Sequence, residues 1–363
     1  MNIGFLERFS GGLDIEMEIY YKILIYNGIP FQRLQLSDPL LWDKLSRLDF
    51  FIYKWGHLDD HHQIAKTILP IIENQLNVRC FPDQKTCWHY DDKIKQYYLL
   101  KELDFPVAES YVFWDKQSAL EWSGNAIYPI IFKLKGGAGS LNVILVENKF
   151  QAKLLIRRMF GSGVKQGSFG TIHFLKLNNY SPIKIVRNIG SKVHKVFLGK
   201  DTSFYYRKHK NYAYFQKFYT GNEFDTRVTT AGKRVHAFRR FVRKNDFRAS
   251  GSNKWDINPD NIDRRLLKIA IDISTKLGFQ AMAYDFIYDE NKEPKIVEMS
   301  YLYGGAGFPD FMNGYWDKEL DWHPGRFWPQ YFELIDLLGI SDLKLPKLDT
   351  DTSYKKAKMV LLK

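Results

Sequence analysis

Two carboxylates stand inside apolar, strand-like sequence in "AYDFIYDENKEPKIVEMS": Asp285 and Glu298, with the turn residues Asp289–Pro294 between them. Strand alternation puts Asp285 with Ile287 on one face, and Glu298 with Ile296 on one face, so a hairpin would set the two acids side by side. A carboxylate in apolar company is costly unless neutralised. A facing pair therefore suits a divalent cation. Mg²⁺, with Mn²⁺ as a substitute, takes oxygen ligands and also holds nucleotide phosphates. Ser300, two residues past Glu298, returns to the same face as a further oxygen. Rim carboxylates bonded to surplus lysine and arginine would show the same pattern.

A second candidate is "YPIIFKLKGGAGSLNVILVE". Its first hydrophobic run ends in Lys133 and Lys135, turns through Gly136, Gly137 and Gly139, and resumes as Val143–Val146. Glycine lets backbone N–H groups approach a bulky anion, and a nearby lysine neutralises it. No Gly-Lys-Ser/Thr follows, so this is not a Walker loop, and a strand rather than a helix comes next, so it is not the dinucleotide fingerprint. Between two strands it reads as a lid-like hairpin over a nucleotide, with Lys133 at the strand end within reach of phosphate oxygens. A plain hairpin tip with basic flanks fits the same residues.

Arginines form the third group, in "FDTRVTTAGKRVHAFRRFVRKNDFRASGS". Arg227, Arg239, Arg240, Arg243 and Arg248 lie among strand-like residues; alternation places Arg239 and Arg243 on one face and Arg240 on the other. The planar guanidinium fork suits an acidic substrate or a developing acyl phosphate. Two weaker groups stand apart. His57, Asp59, Asp60, His61 and His62 cluster in the manner of metal ligands, but Asp59 and Asp60 read equally as N-caps of an amphipathic helix. Tyr315, Trp316, Trp322 and His323 are either ordinary ring packing or a wall for a flat-faced sugar.

The elements that must position these groups alternate in type. Strands at Ile3–Leu6, Phe31–Leu36, Asp49–Tyr53 and Val78–Phe81, with helices at about Asp14–Tyr26 and Gln63–Gln75, predict an α/β layer with a mostly parallel sheet. "HYDDKIKQYYLLKELDFP" predicts a helix carrying Lys93 and Lys95, stopped before Pro106. Beyond the glycine loop come a helix near Lys149–Met159, strands near Phe224–Thr229 and Arg234–Val242, a helix near Asn261–Lys276, the carboxylate hairpin, and a last helix near Phe332–Leu338.

The whole chain agrees with such an architecture. Its 363 residues are 45% hydrophobic and 16% aromatic, enough for a large core in two or three units. A formal charge of +12 points to an acidic partner. Two cysteines, Cys80 and Cys87, make neither a disulfide framework nor a four-ligand zinc site, which favours a reducing cytoplasm. No apolar leader core or membrane-length run is present, so a soluble chain is expected. Between Lys184 and Lys210 eight Lys or Arg face one acid, Asp201. That segment suits an anionic polymer or the inner membrane face, and no recognised RNA or DNA module accompanies it.

Taken in order, these pieces resemble the ATP-grasp superfamily, most closely the branch of the ribosomal-protein glutamate ligases. The resemblance spans roughly Asp91 to Gly307, with 161–213 as a basic insertion. "DDKIKQYYLLKELDFPVAES" is similar to the first ATP-lysine helix, "FKLKGGAGS" to the second lysine and its loop, "YFQKFYTGNEFDTRV" to the adenine hinge, and "RRFVRKNDFRASGS" to the arginine strand. The resemblance implies that Lys93 and Lys133 contact ATP phosphates and that Gly136, Gly137, Gly139 and Ser140 close over them. Gln216, Lys217 and Phe218 would receive adenine. Asp285 and Glu298, with Ser300, would bind Mg²⁺, and Arg239 or Arg248 would steady an acyl phosphate. Lys217 stands where the family usually has glutamate, and Ser300 where it has asparagine.

The implied fold is an N-terminal parallel α/β domain (1–106) followed by two α+β ATP-grasp subdomains, 107–213 with the insertion and 214–345, and a basic tail, 346–363. The implied activity joins a carboxylate to an amine through an acyl phosphate. "EMSYLYGGAG…GYWD" resembles ATP-grasp proteins of bacterial surface-polysaccharide clusters, which implies a uronic-acid sugar or glycan as substrate. A phosphotransferase acting on a hydroxyl, and a non-catalytic binder of an anionic polymer, are the competing readings.

Overall fold

The computed structural model describes residues 1–7, 15–137, 143–165, 207–243, 246–249, 252, 254–303 and 313–347. Gly139, Ser140, the basic stretch up to 206 and the lysine-rich tail from 348 lie outside them. The first sheet is parallel, in the order β2-β1-β3-β4, from β1 (Ile3–Leu6), β2 (Gln32–Leu34), β3 (Phe50–Ile52) and β4 (Arg79–Phe81). Helices α1 (Ile15–Tyr26), α2 (Leu41–Leu45) and α3 (Asp59–Asn74) connect its strands. Leu58, not Asp59 or Asp60, is the N-cap of α3, and it makes no side-chain cap; both acids lie in the first turn, where the helix dipole favours negative charge. Among the described residues, no helix is long and apolar enough to cross a membrane.

After the short α4 (Gln84–Cys87), Asp92 caps α5 (Lys93–Glu102) by accepting from the Lys95 N–H. This fixes Lys93 as the first residue of the helix. A second sheet, antiparallel, runs β5-β10-β6-β7: β5 (Ser110–Phe113), β6 (Ile130–Phe132), β7 (Ile144–Val146) and β10 (Ala213–Lys217). Helices α6 (Lys116–Asn125) and α7 (Lys149–Met159) belong to this unit, with Asn148 capping α7. β6 and β7 pair in register Ile130↔Val146, so the glycine stretch does join two antiparallel neighbours. A short ribbon, β8 (Val164–Lys165) and β9 (Lys208–His209), stands beside them. One boundary differs from expectation. The strand at Ala213–Lys217 pairs with β5 and β6, so the chain leaves the second sheet after Lys217 rather than near 214.

Among the described residues the third sheet has seven strands. Its core order is β15-β14-β11-β12-β16-β17, from β11 (Phe224–Ala231), β12 (Arg234–Phe241), β14 (Ala281–Tyr288), β15 (Pro294–Ser300), β16 (Gly314–Trp316) and β17 (Trp322–Pro324), with β13 (Trp255–Asp256) on β12. One face packs on α8 (Arg264–Leu277): Leu266, Leu267, Ala270 and Ile273 meet Val228, Val235, Tyr284 and Phe286. Gly278 ends that helix at φ 67, the left-handed cap that glycine allows. On the other face, Ala231, Phe238, Ala281 and Ala283 pack with α1 and α9 (Pro329–Leu338). The rest of this second face is polar and bears the site.

The aromatic stretch is packing. Trp316 is buried against Trp322 at 4.5 Å between ring centroids, and Tyr315 stacks on His323 and meets Phe332. None of the four lines the main cleft, which corrects the expectation of a sugar wall. Where α1 meets α9, a buried network joins the first and last units. Glu333 accepts from the hydroxyls of both Tyr20 and Tyr303, and Lys54 lies 3.0 Å from Glu16 and 3.6 Å from Glu333. Removing Glu333 takes a shared acceptor from two buried tyrosine hydroxyls and one of the two carboxylates near Lys54. Glu333→Ala is therefore expected to lower unfolding free energy by about 3 kcal/mol in urea denaturation.

Candidate nucleotide and metal site

A cleft of about 300 Å³ lies between the second and third sheets, lined among others by Lys93, Lys133, Gln216, Arg240, Asp285 and Glu298. The sheet register builds its floor. In the β14–β15 hairpin Asp285 stands directly opposite Glu298, and the next pair is Phe286↔Ile296. Val297 is thus an extra residue, a bulge. It puts Glu298 beside Asp285 but turns Ile296 to the buried opposite face, so the expectation that Glu298 and Ile296 share a face is corrected.

The neighbouring hairpin supplies the countercharge. A two-residue turn with Gly232 at φ 58 pairs Ala231 with Arg234, and that register carries Arg240 opposite Asp225 and Arg227 opposite Asp285. Arg227 grips both oxygens of Asp285, Nε at 2.8 Å and Nη2 at 2.9 Å. Arg240 grips both oxygens of Asp225 at 2.6 and 2.7 Å, and its Nη2 also reaches Asp285 at 2.8 Å. Burial alone would raise the Asp285 carboxyl; the two guanidiniums outweigh it and hold that group far below the usual carboxylate range. Arg239, expected at the anion site, alternates onto the opposite face. There it lies over the Phe224 ring at 4.5 Å and 4.0 Å from Asp256. Arg240 and Arg227, rather than Arg239, line the cleft.

The two lysines are held differently. Lys93 Nζ lies 3.1 Å from Glu298 and donates to the Gly137 carbonyl at 2.8 Å. Burial pulls its pKa down, and Glu298 with Asp91 more than reverses this, leaving it raised. Lys133 is just as buried, but its ammonium donates to a neutral group, the Gln216 Oε1, at 2.6 Å. Burial drives its pKa down to about 8, with Glu298 only partly opposing. Gln216 is itself oriented by its Nε2–H bond to Ser110.

The remaining expected residues divide. Gly137, Lys217, Phe218, Arg248 and Ser300 line the cleft, and Gly136 adjoins it in sequence. Lys217 turns its ammonium to Glu290 at 3.3 Å and over the Tyr219 ring. Phe218 meets Phe247 edge-on at 5.5 Å, and Arg248 forks onto Asp246. The Ser300 hydroxyl donates to the Leu302 carbonyl at 2.8 Å, which leaves its lone pairs available. Lys135 points elsewhere, to Asp92 at 3.3 Å. Sequence reasoning missed Asp225 and Asn222, which line the cleft, and the roles of Arg227 and Arg240. The Gly232 turn was the signal for one pairing, since counting outward from it sets Asp225 opposite Arg240.

Among the described residues no three histidine, cysteine or acidic side chains cluster as a metal site. Asp285 and Glu298 are a two-carboxylate set. That fits Mg²⁺, which commonly takes one or two carboxylates and completes its shell with phosphates and water. The charge balance matters here. Among the described residues Asp225, Asp285 and Glu298 face Lys93, Lys133, Arg227 and Arg240, so cations outnumber carboxylates in the floor.

No protein-family model matches the sequence, and no curated protein does. Solved structures match in fold. Biotin carboxylase from Campylobacter jejuni, in a β,γ-ATP complex, shares 13% identity at TM-score 0.57 over 95% of this chain and 72% of that one. The D-cycloserine synthetase DcsG shares 12% at TM-score 0.54, over 86% and 94%. A RiPP-associated ATP-grasp ligase of Chryseobacterium gregarium, in complex with ADP and a leader and core peptide, shares 13% at TM-score 0.52, over 86% and 92%. The chain has the ATP-grasp fold.

Lys133 gives a signed test. Its ordinary pKa is near 10.5 and its folded value about 8, so between these the unfolded chain binds the extra proton and stability rises with pH. The buried ammonium costs stability in full below about pH 8, and the cost fades towards pH 10.5. Lys133→Met is expected to unfold at higher urea than the parent at neutral pH, with the difference shrinking as pH climbs through that window.

Proposed function

We propose that this protein is an ATP-dependent carboxylate–amine ligase working through an acyl phosphate. The observation that carries the reading is the cross-strand pair Asp285–Glu298, set beside two buried lysines and two cleft-face arginines in an ATP-grasp fold. Lys93 and Lys133 hold the phosphates, and the backbone of Gln216, Lys217 and Phe218 receives the base. Asp285 and Glu298, with Ser300, would hold Mg²⁺, which supplies charge neutralisation of the polyphosphate when bound. The γ-phosphoryl group passes to a carboxylate oxygen. An amine then attacks the carbonyl carbon, the C–N bond forms as the C–O bond to phosphate breaks, and ADP and phosphate are the co-products. Arg240, Arg227 and Arg248 steady the anionic acyl phosphate, and the enclosed cleft limits its hydrolysis.

The carboxyl donor is the finer part of the proposal. A uronic-acid sugar or surface polysaccharide is favoured by the resemblance of "EMSYLYGGAG…GYWD", while the amino-acid and peptide chemistry named for DcsG and the RiPP-associated ligase supplies the competing donors. We place the reaction in a reducing cytoplasm, which the free, buried Cys80 and Cys87 support, with the basic surface near the inner membrane face.

The deciding experiment is ADP release across a panel of uronic acids, amino acids and peptides crossed with amines, with mass spectrometry of the product. Release that needs both carboxylate and amine supports a ligase; a phosphorylated hydroxyl product formed without amine turns the reading to a phosphotransferase. Because cations exceed carboxylates in the floor, calorimetry is expected to show no Mg²⁺ binding alone and saturable binding once ATP is present. Asp285→Asn, Glu298→Gln and Arg240→Met are each expected to cost at least about a hundredfold in turnover. Arg239→Met, on the other face, is expected to stay within about threefold of the parent.

A further inference from the structure

His57, which the chain reaches on leaving β3, lines the main cleft and also a second cavity of about 20 Å³ beside it. The smaller cavity holds Asp91, at φ 53 in the turn entering α5, with its side chain almost wholly buried. Every edge of that carboxylate is engaged. Oδ1 accepts the Gly137 N–H at 2.6 Å and lies 3.0 Å from His57 Nδ1; Oδ2 lies 3.3 Å from His62 Nε2. Burial pushes the carboxyl up, but the adjacent His57 and His62 rings outweigh it and hold the group below the usual carboxylate range.

Two residues on, Lys93 completes the same attachment. Its backbone N–H donates to the Lys135 carbonyl at 2.8 Å, and its ammonium donates to the Gly137 carbonyl at 2.8 Å. Gly137 is thus held at its N–H by Asp91 and at its carbonyl by Lys93. Gly136 lies flush against the clamp: a Cβ there would come within 2.9 Å of Asp91 Oδ2 and 3.2 Å of its carbonyl oxygen. The parallel-sheet unit, through two histidines, therefore sets the backbone at the base of the glycine loop.

We infer that Asp91, clamped by His57 and His62, is a positioning residue for the polyphosphate end of the nucleotide, acting through Gly137 and the Lys93 ammonium. The inference rests on the nucleotide reading above. Asp91 faces no part of the cleft that would hold adenine, so its loss acts on the phosphate end alone.

The test compares MgATP with AMP, which lacks the outer phosphates, for the parent, Asp91→Ala and Asp91→Asn, alongside hydrogen exchange of the 135–137 amides. Asp91→Ala is expected to weaken MgATP binding about tenfold or more, leave AMP within about twofold, and speed exchange at Gly137. Asp91→Asn, which keeps the shape and an acceptor oxygen, falls between. MgATP affinity equal to the parent's, equal losses for MgATP and AMP, or unchanged Gly137 exchange would each overturn the inference while leaving the nucleotide reading standing. A parent chain that binds no MgATP overturns both.

Discussion

Asp285 sits in the cleft floor with a guanidinium on each side, and the geometry of the site follows from answering that one buried negative charge. Arg227 and Arg240 reach it only because β11 runs between β12 and β14 in a single register. A one-residue slip of β11 would send Arg227 and Asp225 into the apolar face packed on α8 and take a guanidinium from the carboxylate. The same register brings Asp225 to Arg240 and leaves Glu298, across the bulge, to Lys93. The ion pairs thus stitch the third sheet to the helix that begins at Lys93. Paired charges of this kind add little net stability, but an unpaired one is severe, so they select register more than they strengthen it.

Much of this architecture was legible because hairpins and capped helices are local. Asp92 before Lys93, Asn148 before α7 and Gly278 after α8 are contacts within a few residues, and the turn between Asp285 and Glu298 announces their pairing. What the sequence concealed was set by counting or by distance. Alternation without the turn register exchanged Arg239 for Arg240. The bulge at Val297 interrupts a period that looks unbroken in "PKIVEMS". β10 joins partners about one hundred residues back, β5 and β6, and no local pattern says so. The contacts of Asp91 with His57 and His62 cross between units, and the histidine cluster read in isolation suggested only a helix start or a metal.

Three units therefore contribute to one cleft through different kinds of contact. The parallel sheet contributes through His57, the second sheet through Lys133 and Gln216, the third through the carboxylates and arginines. Tyr301 ties the first and third units by bonding both backbone groups of Trp55, and Gln96 on α5 donates to the Met299 carbonyl beside Glu298. Polyphosphate bound in the cleft would bridge lysines from two units whose own contacts already converge there.

The neutral partner of Lys133 has one more consequence. An amine with a pKa of about 8 is roughly a tenth unprotonated at neutral pH, hence a nucleophile, whereas an ordinary lysine is almost fully protonated. A ligase that makes an activated acyl group beside such an amine risks acylating itself. Phosphate oxygens in the cleft, by raising the proton affinity of Lys133, would quench that reactivity during the interval when the activated acyl group exists. Under the proposed reaction, Gln216, which supplies no charge, would leave that protection to the bound phosphates.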